Sequence, residues 1–317
     1  MSASPSPPPA ALPPDEGPPS PPLDVSRSQP GALIRTARPK QWIKNVLVFA
    51  APGAAGVLSH GTALGHTLVA FAVFCLAASG TYFLNDVVDV AADRHHPTKA
   101  RRPVASGALS PAVAQGAGAA LVAIAIALAG LAVSWQLMVV VAIYVAVTLS
   151  YTLYLKHEPL LDLAGVAAGF VLRAIAGGVA ASVPISQWFL IVASFGSLFM
   201  VAGKRSAEHD TLGDARGHHR ATLAAYSLSY LRYIRTVTSS VTIAAYALWA
   251  FERQATAGAG NWSQLSIIPF TLAIFRYALL LDVGAGEAPE DIVLGDPTLI
   301  VLGAAWVAFF ALGVYVG

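Results

Sequence analysis

Long apolar stretches recur along the chain, and they constrain the fold more than any other feature of the sequence. Nine of them follow one another from Trp42 to the C-terminus, at residues 42–58, 64–84, 112–133, 136–155, 160–181, 186–203, 231–251, 264–281 and 298–316. Most reach the roughly 17–25 residues that a helix needs to cross a bilayer. Because backbone groups cannot stay unpaired in lipid, we expect these stretches to be helices. The sequence therefore predicts an all-α polytopic membrane protein with about nine transmembrane helices.

A low charge content supports the same class. Charged residues make up only 11% of the chain and hydrophobic residues 56%, whereas soluble domains usually carry about a quarter charged residues. These charges are too few to cover the surface of a soluble protein of this length. The single cysteine, Cys75, lies in an apolar stretch, which excludes a disulfide scaffold and a cysteine-ligated metal site.

The N-terminal region differs from the rest of the chain. Its first 30 residues contain 11 of the 21 prolines, and they include no apolar run long enough for a signal-peptide core. Such a composition is typical of a disordered segment. We therefore predict a disordered cytoplasmic tail over residues 1–32 and one transmembrane catalytic domain over residues 33–317.

The positions of the basic residues predict the orientation in the membrane. With a cytoplasmic N-terminus, 15 of the 19 lysines and arginines lie in or beside the cytoplasmic segments, and the opposite loops contain only Arg253. This distribution follows the positive-inside rule. The acidic residues are distributed in the same way, since of 17 aspartates and glutamates only Glu252 falls outside. Bases and carboxylates together suggest a polar chamber on the cytoplasmic side of the plasma membrane that binds anions and metal ions.

The strongest chemical signal follows the second apolar stretch. Asp86, Asp89 and Asp93 stand at positions i, i+3 and i+7, so a helix would place them on one face. Three like charges within two turns repel one another unless a cation holds them, and Mg²⁺ takes such oxygen ligands together with substrate phosphates. We predict that these three aspartates are catalytic. The alternative is a solvated helix end, although aligned carboxylates at a membrane edge are unfavourable without a partner.

Basic residues follow the aspartates closely. Lys99, Arg101 and Arg102 come six to nine residues after Asp93. They could clamp a phosphate that the metal bridges, because arginine binds phosphate in a bidentate manner and lysine acts as a point charge. The alternative is an ordinary basic cytoplasmic loop. Earlier in the chain, Lys44 either reaches the membrane interface or points inward.

Two later cytoplasmic edges also combine bases with carboxylates. Asp162 and Arg173 are embedded in apolar sequence, where isolated charges are unfavourable. They lie about 16 Å apart along one helix face, so each needs another partner or a ligand, and a structural ion pair with another helix is the alternative. Lys204 and Glu208 are spaced for a surface ion pair of little energetic value, yet we favour a functional role for this third mixed edge. The other polar residues at these edges are Tyr151, Lys156 and Arg205.

Together these motifs resemble the UbiA superfamily of intramembrane prenyltransferases, which are bundles of nine transmembrane helices with an Asn-Asp-x-x-Asp-x-x-x-Asp motif. The matching motif here runs from Asn85 to Asp93, and the resemblance extends from residue 33 to the C-terminus. Where ordinary prenyltransferases have a second aspartate-rich motif, this chain has Lys204, Arg205 and Glu208. That departure indicates the phosphoribosyl branch, the decaprenyl-phosphate phosphoribosyltransferases of actinobacteria. The segments that resemble this branch are 38–45, 85–93, 96–107, 155–156, 162, 169–173 and 203–208.

The resemblance implies transfer of 5-phosphoribose from phosphoribosyl diphosphate to decaprenyl phosphate or a related polyprenyl phosphate, with release of diphosphate, for cell-wall arabinan precursors. It implies Mg²⁺ as the cofactor, with Asp86, Asp89 and Asn85 as ligands. The implied substrate-binding residues are Lys44, Asn85, Lys99, Arg102, Tyr151, Lys156, Asp162, Arg173, Lys204, Arg205 and Glu208. The lipid bilayer is the surrounding medium, no nucleic-acid partner is expected, and a homo-oligomer is left open.

Two other functions remain open from the sequence. A UbiA-type prenyltransferase that moves a prenyl group from a prenyl diphosphate to an aromatic acceptor would use the Asp86 motif equally well, but its second site should be rich in aspartate. A transporter would place polar groups and broken helices near the middle of the membrane. Here the charges gather at one membrane edge, and only Arg173, Arg235 and Arg276 lie well within spans.

Overall fold

Helices form nearly all of the regular structure in the described part of the chain, as expected where backbone groups must pair without water. The computed structural model describes residues 29–96, 98–212, 221–257, 261–284 and 289–316. Its α-helices are α1 (Gln29–Ala37), α2 (Ala50–Ala54), α3 (Gly61–Val88), α4 (Val90–Arg94), α5 (Pro111–Ala132), α6 (Trp135–Leu153), α7 (Leu161–Ala180), α8 (Gln187–Leu212), α9 (Ala221–Ala225), α10 (Leu228–Ala257), α11 (Trp262–Leu265), α12 (Ile267–Asp282), α13 (Pro289–Gly295) and α14 (Pro297–Ala311). Three 3₁₀-helices and a π-helical turn complete it, at Pro39–Phe49, Lys99–Arg101, Leu155–His157 and Leu312–Val316. The prediction of an all-α fold is confirmed.

Seven helical segments in these described ranges are long and apolar enough to cross a membrane. They are Gly61–Val88, Pro111–Ala132, Trp135–Leu153, Leu161–Ala180, Gln187–His209, Trp262–Asp282 and Pro297–Val316. The chain is therefore a multi-pass membrane protein, as predicted. The other two predicted spans differ, since residues 231–251 lie within the more polar α10, and residues 42–58 contain most of the first 3₁₀-helix and all of α2. The count of nine and the orientation stay predictions.

The polar residues of α10 are satisfied within the helix itself. The hydroxyl groups of Thr236, Thr238 and Thr242 each donate to the backbone carbonyl four residues earlier, at 3.0, 2.7 and 2.7 Å. Such bonds relieve the penalty of taking a hydroxyl group out of water. This 30-residue helix can therefore lie beside the apolar α8, against which it packs along its length.

The first helix begins before the predicted domain boundary. α1 starts at Gln29, inside the region predicted as a disordered tail over residues 1–32. Its Ala32 is fully buried in a cluster with Phe83 of α3 and Leu109. Residues 29–32 therefore belong to the folded unit, and the remainder of the tail prediction lies outside the described residues.

Close helix packing on α3 depends on glycine. A Cβ at Gly80 of α3 would lie 2.8 Å from the carbonyl oxygen of Gly118 in α5, and one at Gly118 would lie 3.0 Å from that of Gly80. Small residues allow membrane helices to approach in this way. Earlier in α3, Phe74 lies in a buried cluster that also contains Tyr144 of α6 and Ala176 of α7. α3 is thus the central helix of the first half of the bundle.

The segment Pro39–Phe49 keeps 3₁₀ geometry for 11 residues, although such helices rarely exceed one turn. It follows Arg38, whose backbone is left-handed with φ 53° and ψ 59°. Side chains three residues apart line up along a 3₁₀-helix. One row, Asn45 and Val48, is fully buried. The Lys44 row faces a cavity described below.

One contact between this segment and α7 requires glycine at position 177. A Cβ on Gly177 would lie 1.7 Å from the carbonyl oxygen of Val48, and backbone cannot move aside as a flexible side chain can. Gly177→Ala is therefore expected to lower the free energy of unfolding by about 3 kcal/mol, at the upper end for overpacking. Thermal unfolding of the detergent-solubilised protein measures the loss.

Gly116→Ala is the matched control for that substitution. Gly116 lies inside α5, and a Cβ there meets no atom within 4 Å. Alanine favours a helix interior by about 0.5–1 kcal/mol over glycine, so this variant should be unchanged or slightly more stable. Equal stability of the two variants would contradict the close approach of Val48 to α7.

Candidate active site

Ion pairs join the ends of several helices at one end of the bundle. Arg38 pairs with Asp86 at the end of α3, and Lys156, after α6, pairs with Asp89. Arg205 near the end of α8 pairs with Asp162 at the start of α7. The sequence predicted that these edges share one side of the membrane, and the contacts place them at the same end of the fold.

The aspartate motif is interrupted where the sequence suggested one continuous helix face. α3 ends at Val88, and Asp89 has φ −87° and ψ 2° before α4 begins at Val90. Asp86 and Asp93 are both buried and share one cation, since Arg102 Nη1 donates to Asp93 Oδ2 at 2.7 Å and to Asp86 Oδ1 at 3.3 Å. Asp89 instead accepts from Lys156 Nζ at 2.7 Å. The middle carboxylate therefore has a different partner from the other two.

Arg38 is a member of this cluster that the sequence did not single out. Its Nη2 donates to Asp86 Oδ1 at 2.5 Å, and its guanidinium lies 4.6 Å from the ring centre of Tyr82. A stacked arginine has fewer conformations to lose when it binds an anion. Its sequence signals were its place before Pro39 in a basic run, which also fits an ordinary membrane-edge arginine, and its membership of the segment 38–45 that resembles the phosphoribosyl branch.

The remaining predicted residues of this region lie beside the motif. Asn85 is half-buried immediately before Asp86. Lys99 is half-buried in the 3₁₀ turn Lys99–Arg101, and its backbone N–H donates to His96 Nδ1 at 3.4 Å. This turn leads directly to Arg102 and so holds that residue over Asp86 and Asp93.

A second cluster is built around the buried Arg205. Its Nε donates to Asp162 Oδ2 at 3.0 Å, and its Nη1 donates to Glu208 Oε2 at 2.8 Å. The third nitrogen, Nη2, donates to the hydroxyl oxygen of Tyr151 at 3.4 Å. Four predicted substrate-binding residues thus meet in one network. Lys204 forms the predicted pair with Glu208 at 3.9 Å.

Tyr226 completes the second cluster and was not found from the sequence. Burial raises the pKa of Tyr226 to about 12, and the neighbouring Asp162 acts in the same direction. The phenol therefore stays protonated at neutral pH and donates to Asp162 Oδ1 at 3.0 Å, while accepting from the N–H of Leu160 at 2.7 Å. Tyrosines are common at membrane edges, so its position carried no signal.

Arg173 lies in a third, buried cluster. Its guanidinium donates to Asn45 Oδ1 at 2.7 Å, to the carbonyl oxygen of Gly169 at 2.7 Å and to the Tyr144 hydroxyl at 2.9 Å. The prediction that Asp162 and Arg173 do not pair with each other is confirmed, since Asp162 pairs with Arg205.

A large apolar cavity of about 900 Å³ lies between α8, α10, α12, α14 and the 3₁₀ segment. Aromatic residues form much of its wall: Phe170, Trp188, Phe189, Tyr246, Trp249, Phe270, Tyr277, Trp306 and Phe310. Lys44 and Lys204 are the only charged residues among its described lining. Lys204 lies about 24 Å along α8 from Trp188. Trp188 follows shortly after the end of α7, so the lysine belongs to the polar end of the bundle.

The carboxylates suit a magnesium ion that is shared with a substrate. Mg²⁺ prefers oxygen ligands and commonly takes one or two carboxylates together with substrate phosphates. Asp86 and Asp89 supply two such groups from adjacent turns. Within the described ranges, no three histidine, cysteine or acidic side chains converge into a metal site of their own. Asp86 and Asp89 are therefore of the ligand type and number that Mg²⁺ takes when substrate phosphates complete its coordination.

The fold and the site define a membrane-embedded helical protein with an aspartate motif at one end of the bundle and an apolar cavity between its helices. The sequence profile of the UbiA prenyltransferase family matches residues 46–293. The chain belongs to this family, as the sequence motifs predicted.

Two named relatives indicate which branch of the family this chain is similar to. The chain is 44% identical over 291 residues to the decaprenyl-phosphate phosphoribosyltransferase of Corynebacterium glutamicum, covering 90% of this chain and 87% of that protein. It is 43% identical over 284 residues to the protein of the same name from Mycobacterium tuberculosis, covering 87% and 92%. The resemblance to the phosphoribosyl branch is thereby confirmed.

Solved structures share the fold at low sequence identity. A UbiA homolog from Archaeoglobus fulgidus bound to GPP and Mg²⁺ superimposes with a TM-score of 0.71 at 16% identity, covering 89% of this chain and 99% of that one. A digeranylgeranylglyceryl phosphate synthase gives a TM-score of 0.64 at 17% identity, covering 90% and 98%. These likenesses establish the fold.

Proposed function

We propose that this protein transfers 5-phosphoribose from phosphoribosyl diphosphate to decaprenyl phosphate or a related polyprenyl phosphate, and releases diphosphate. The observation that carries the proposal is the 43–44% identity, over about nine tenths of the chain, to decaprenyl-phosphate phosphoribosyltransferases. The second cluster supports it, because Lys204, Arg205 and Glu208 stand where an aspartate-rich motif would serve a prenyl diphosphate.

The apolar cavity is suited to the lipid acceptor. Its aromatic wall would bury part of a polyprenyl chain, and the transfer of apolar surface out of water favours binding. Lys44 and Lys204, its only charged residues among those described, would bind the acceptor phosphate at the polar end. A long chain would extend beyond the cavity into the bilayer.

The aspartate cluster is suited to the soluble donor. Arg38, Arg102 and Lys156 contact the three motif carboxylates and present cations at the position where a diphosphate would approach. Bidentate arginine contacts orient phosphate groups as well as attract them. Lys99, in the adjoining turn, would add charge to the same pocket.

Catalysis by this chain would be electrostatic and positional. An oxygen of the acceptor phosphate forms a bond to C1 of the ribose while the bond from C1 to the diphosphate oxygen breaks, and the diphosphate leaves with the electron pair. The acceptor phosphate is ionised at neutral pH, so no general base is required. Arg38, Arg102 and Lys156 would stabilise the charge that develops on the leaving group, and the two cavity lysines would align the attacking oxygen.

Asp86 and Asp89, with Asn85 beside them, would hold a magnesium ion. When bound, the ion neutralises charge on the diphosphate and so makes it a better leaving group. Asp93, through the shared Arg102, would keep that arginine in place. The Arg205 network would fix the end of α8, and with it the position of Lys204.

We further propose that this end of the bundle faces the cytoplasm, where a soluble phosphorylated sugar is available. The basic residues concentrated in the corresponding segments support this orientation under the positive-inside rule.

A reconstituted assay tests the function and its metal requirement. Purified protein in detergent is given phosphoribosyl diphosphate, decaprenyl phosphate and Mg²⁺, and the lipid product is identified by mass while diphosphate release is followed. We expect a phosphoribosylated lipid, formed in equal amount to diphosphate. Removal of the metal with EDTA should abolish turnover, and added Mg²⁺ should restore it.

The same preparation distinguishes the other enzyme class. A prenyl diphosphate and an aromatic acid replace the two substrates, with all other conditions unchanged. Turnover on this pair, without product from the first pair, would overturn the phosphoribosyl assignment while leaving the family assignment intact.

A further inference from the structure

Arg173 is a buried cation without an acidic partner among its contacts in the described part of the chain. Those contacts are the Asn45 amide oxygen, the Gly169 carbonyl and the Tyr144 hydroxyl. The rings of Tyr144, Phe170 and Phe74 surround it at 4.8–5.9 Å. The other two arginines deep within predicted spans are different. Arg235 pairs with Asp282 at 2.9 Å, and Arg276 pairs with Asp296 at 2.7 Å.

A cation at this depth is unfavourable, so its contacts should have a use. Arg173 lies in α7, whereas Asn45 belongs to the 3₁₀ segment, 128 positions earlier in the chain. Asn45 is fully buried, and its side-chain Nδ2 donates to Cys75 Sγ in α3 at 3.3 Å. Asn45 thus joins the segment to two helices, and Arg173 is its charged partner.

The second contact of α7 lies one turn further along the same face. Gly177 allows the Val48 carbonyl to approach α7 more closely than any side chain would permit. Asn45 and Val48 are three residues apart and therefore lie in one row of the 3₁₀-helix. α7 therefore contacts this row at two points. The Arg173 guanidinium donates to Asn45, and Gly177 packs against the Val48 carbonyl.

Because Asn45 and Val48 are held against α7, a different row of the segment faces the cavity. Lys44, Leu47 and Ala50, also at three-residue spacing, all line the cavity. In an α-helix each step of three residues turns the side chain by a further 60°, because 3.6 residues complete a turn. The row would then turn by about 120° between Lys44 and Ala50. The 3₁₀ form keeps Lys44 in line with Leu47 and Ala50. Ile43 and Phe49 of the neighbouring row also line the cavity.

From this arrangement we infer that Arg173 is a positioning residue that acts through Asn45 to hold the neighbouring Lys44 at the wall of the cavity, where it binds the acceptor phosphate. The inference rests on the proposed function for the identity of the acceptor. It gives Arg173 an indirect role in place of the direct substrate contact that the sequence suggested.

Binding of the lipid alone tests this role. Trp188, Trp249 and Trp306 line the cavity, so their fluorescence reports occupancy. Decaprenyl phosphate and the uncharged decaprenol are titrated separately, without donor. Arg173→Met should weaken binding of decaprenyl phosphate by about tenfold, the value of one hydrogen bond to a charged group. Decaprenol binding should stay the same.

A double-mutant cycle tests whether Arg173 affects lipid binding through Lys44. In a Lys44→Ala background, Arg173→Met should weaken phosphate-lipid binding less than about twofold, because the residue through which it acts is gone. Further tenfold weakening in that background would mean that Arg173 meets the phosphate itself, and would overturn the inference. Equal weakening for both lipids would indicate general damage to the cavity and would overturn it too.

Two further variants keep the result interpretable. Asn45→Ala removes the other half of the contact and should reproduce the loss for decaprenyl phosphate if Arg173→Met does not fold. Arg235→Met is the matched control, because it removes an equally buried arginine that does not touch the 3₁₀ segment; it should leave the preference for the phosphate unchanged. Since no donor is present, absence of turnover would refute the proposed reaction without affecting this measurement.

Discussion

Replacing Asp86 with asparagine is expected to reduce kcat for phosphoribosyl transfer by at least about 100-fold. The substitution keeps the size of the side chain but removes the charge that Arg38 and Arg102 both contact. It also removes one of the two carboxylates that would hold the metal. Both effects weaken stabilisation of the leaving diphosphate. Initial rates of lipid product at saturating concentrations of both substrates measure the loss.

The control for Asp86→Asn is Asp282→Asn. Asp282 also pairs with an arginine, Arg235, at 2.9 Å, but it is half exposed at the end of α12. Its loss should change kcat less than about twofold, since Asp282 is half exposed and pairs with Arg235, which is not a member of the aspartate cluster. Both variants should elute as folded protein in detergent. Near wild-type turnover by a folded Asp86→Asn protein would remove the carboxylate from the mechanism.

Replacing Arg205 with methionine is expected to have the largest effect on stability. Asp162 is 0% exposed and Arg205 3%, and both lie at the junction of α7 and α8. Without the guanidinium, the Asp162 carboxylate would lose the cation that donates to its Oδ2 and would keep the Tyr226 hydroxyl at its Oδ1. Removing one partner of a buried ion pair lowers the free energy of unfolding by about 3–5 kcal/mol. Thermal unfolding in detergent should show a large fall in Tm.

A second substitution should recover part of that stability. In the Arg205→Met, Asp162→Leu double variant, no charge is left buried and unpaired, and replacing a whole ion pair by apolar residues is often neutral. Lys204→Met, one residue earlier and partly exposed, serves as a comparison for stability and should leave Tm nearly unchanged. A double variant less stable than Arg205→Met alone would show that the pair is not the source of the effect.

The overall architecture could be predicted from the sequence because lipid permits few backbone structures and few positions for charged residues. Long apolar stretches must form helices, and charges that cannot lie in lipid must gather at the membrane edges. These two facts were enough to predict seven of the spans. They also predicted that Asp162 and Arg173 would find separate partners. The polar cytoplasmic edges were predicted for the same reason, because acidic and basic residues beside apolar stretches are less unfavourable when they pair with one another.

Long-range partners and local breaks could not be predicted in this way. Arg205 and Asp162 are 43 positions apart, and no local pattern links them. Asp89 pairs with Lys156 whereas Asp86 and Asp93 share Arg102, although helical spacing alone put all three on one face. The 3₁₀ form of residues 39–49 depends on contacts with α7, because 3₁₀ geometry is intrinsically weak over such a length. Tertiary packing therefore decided these features.

The placement of charge in the cavity also limits where the product goes. Lys44 and Lys204 are the only charged residues among the described lining of the channel, and Lys204 lies near the polar end of α8, so we expect a lipid head group to bind toward that end. The product would carry an added sugar phosphate at the same end and would meet no further charged residue among the described lining. We therefore expect it to be released into the leaflet from which the acceptor came. Any step that uses the product on the opposite face of the membrane would then require the lipid to be turned over.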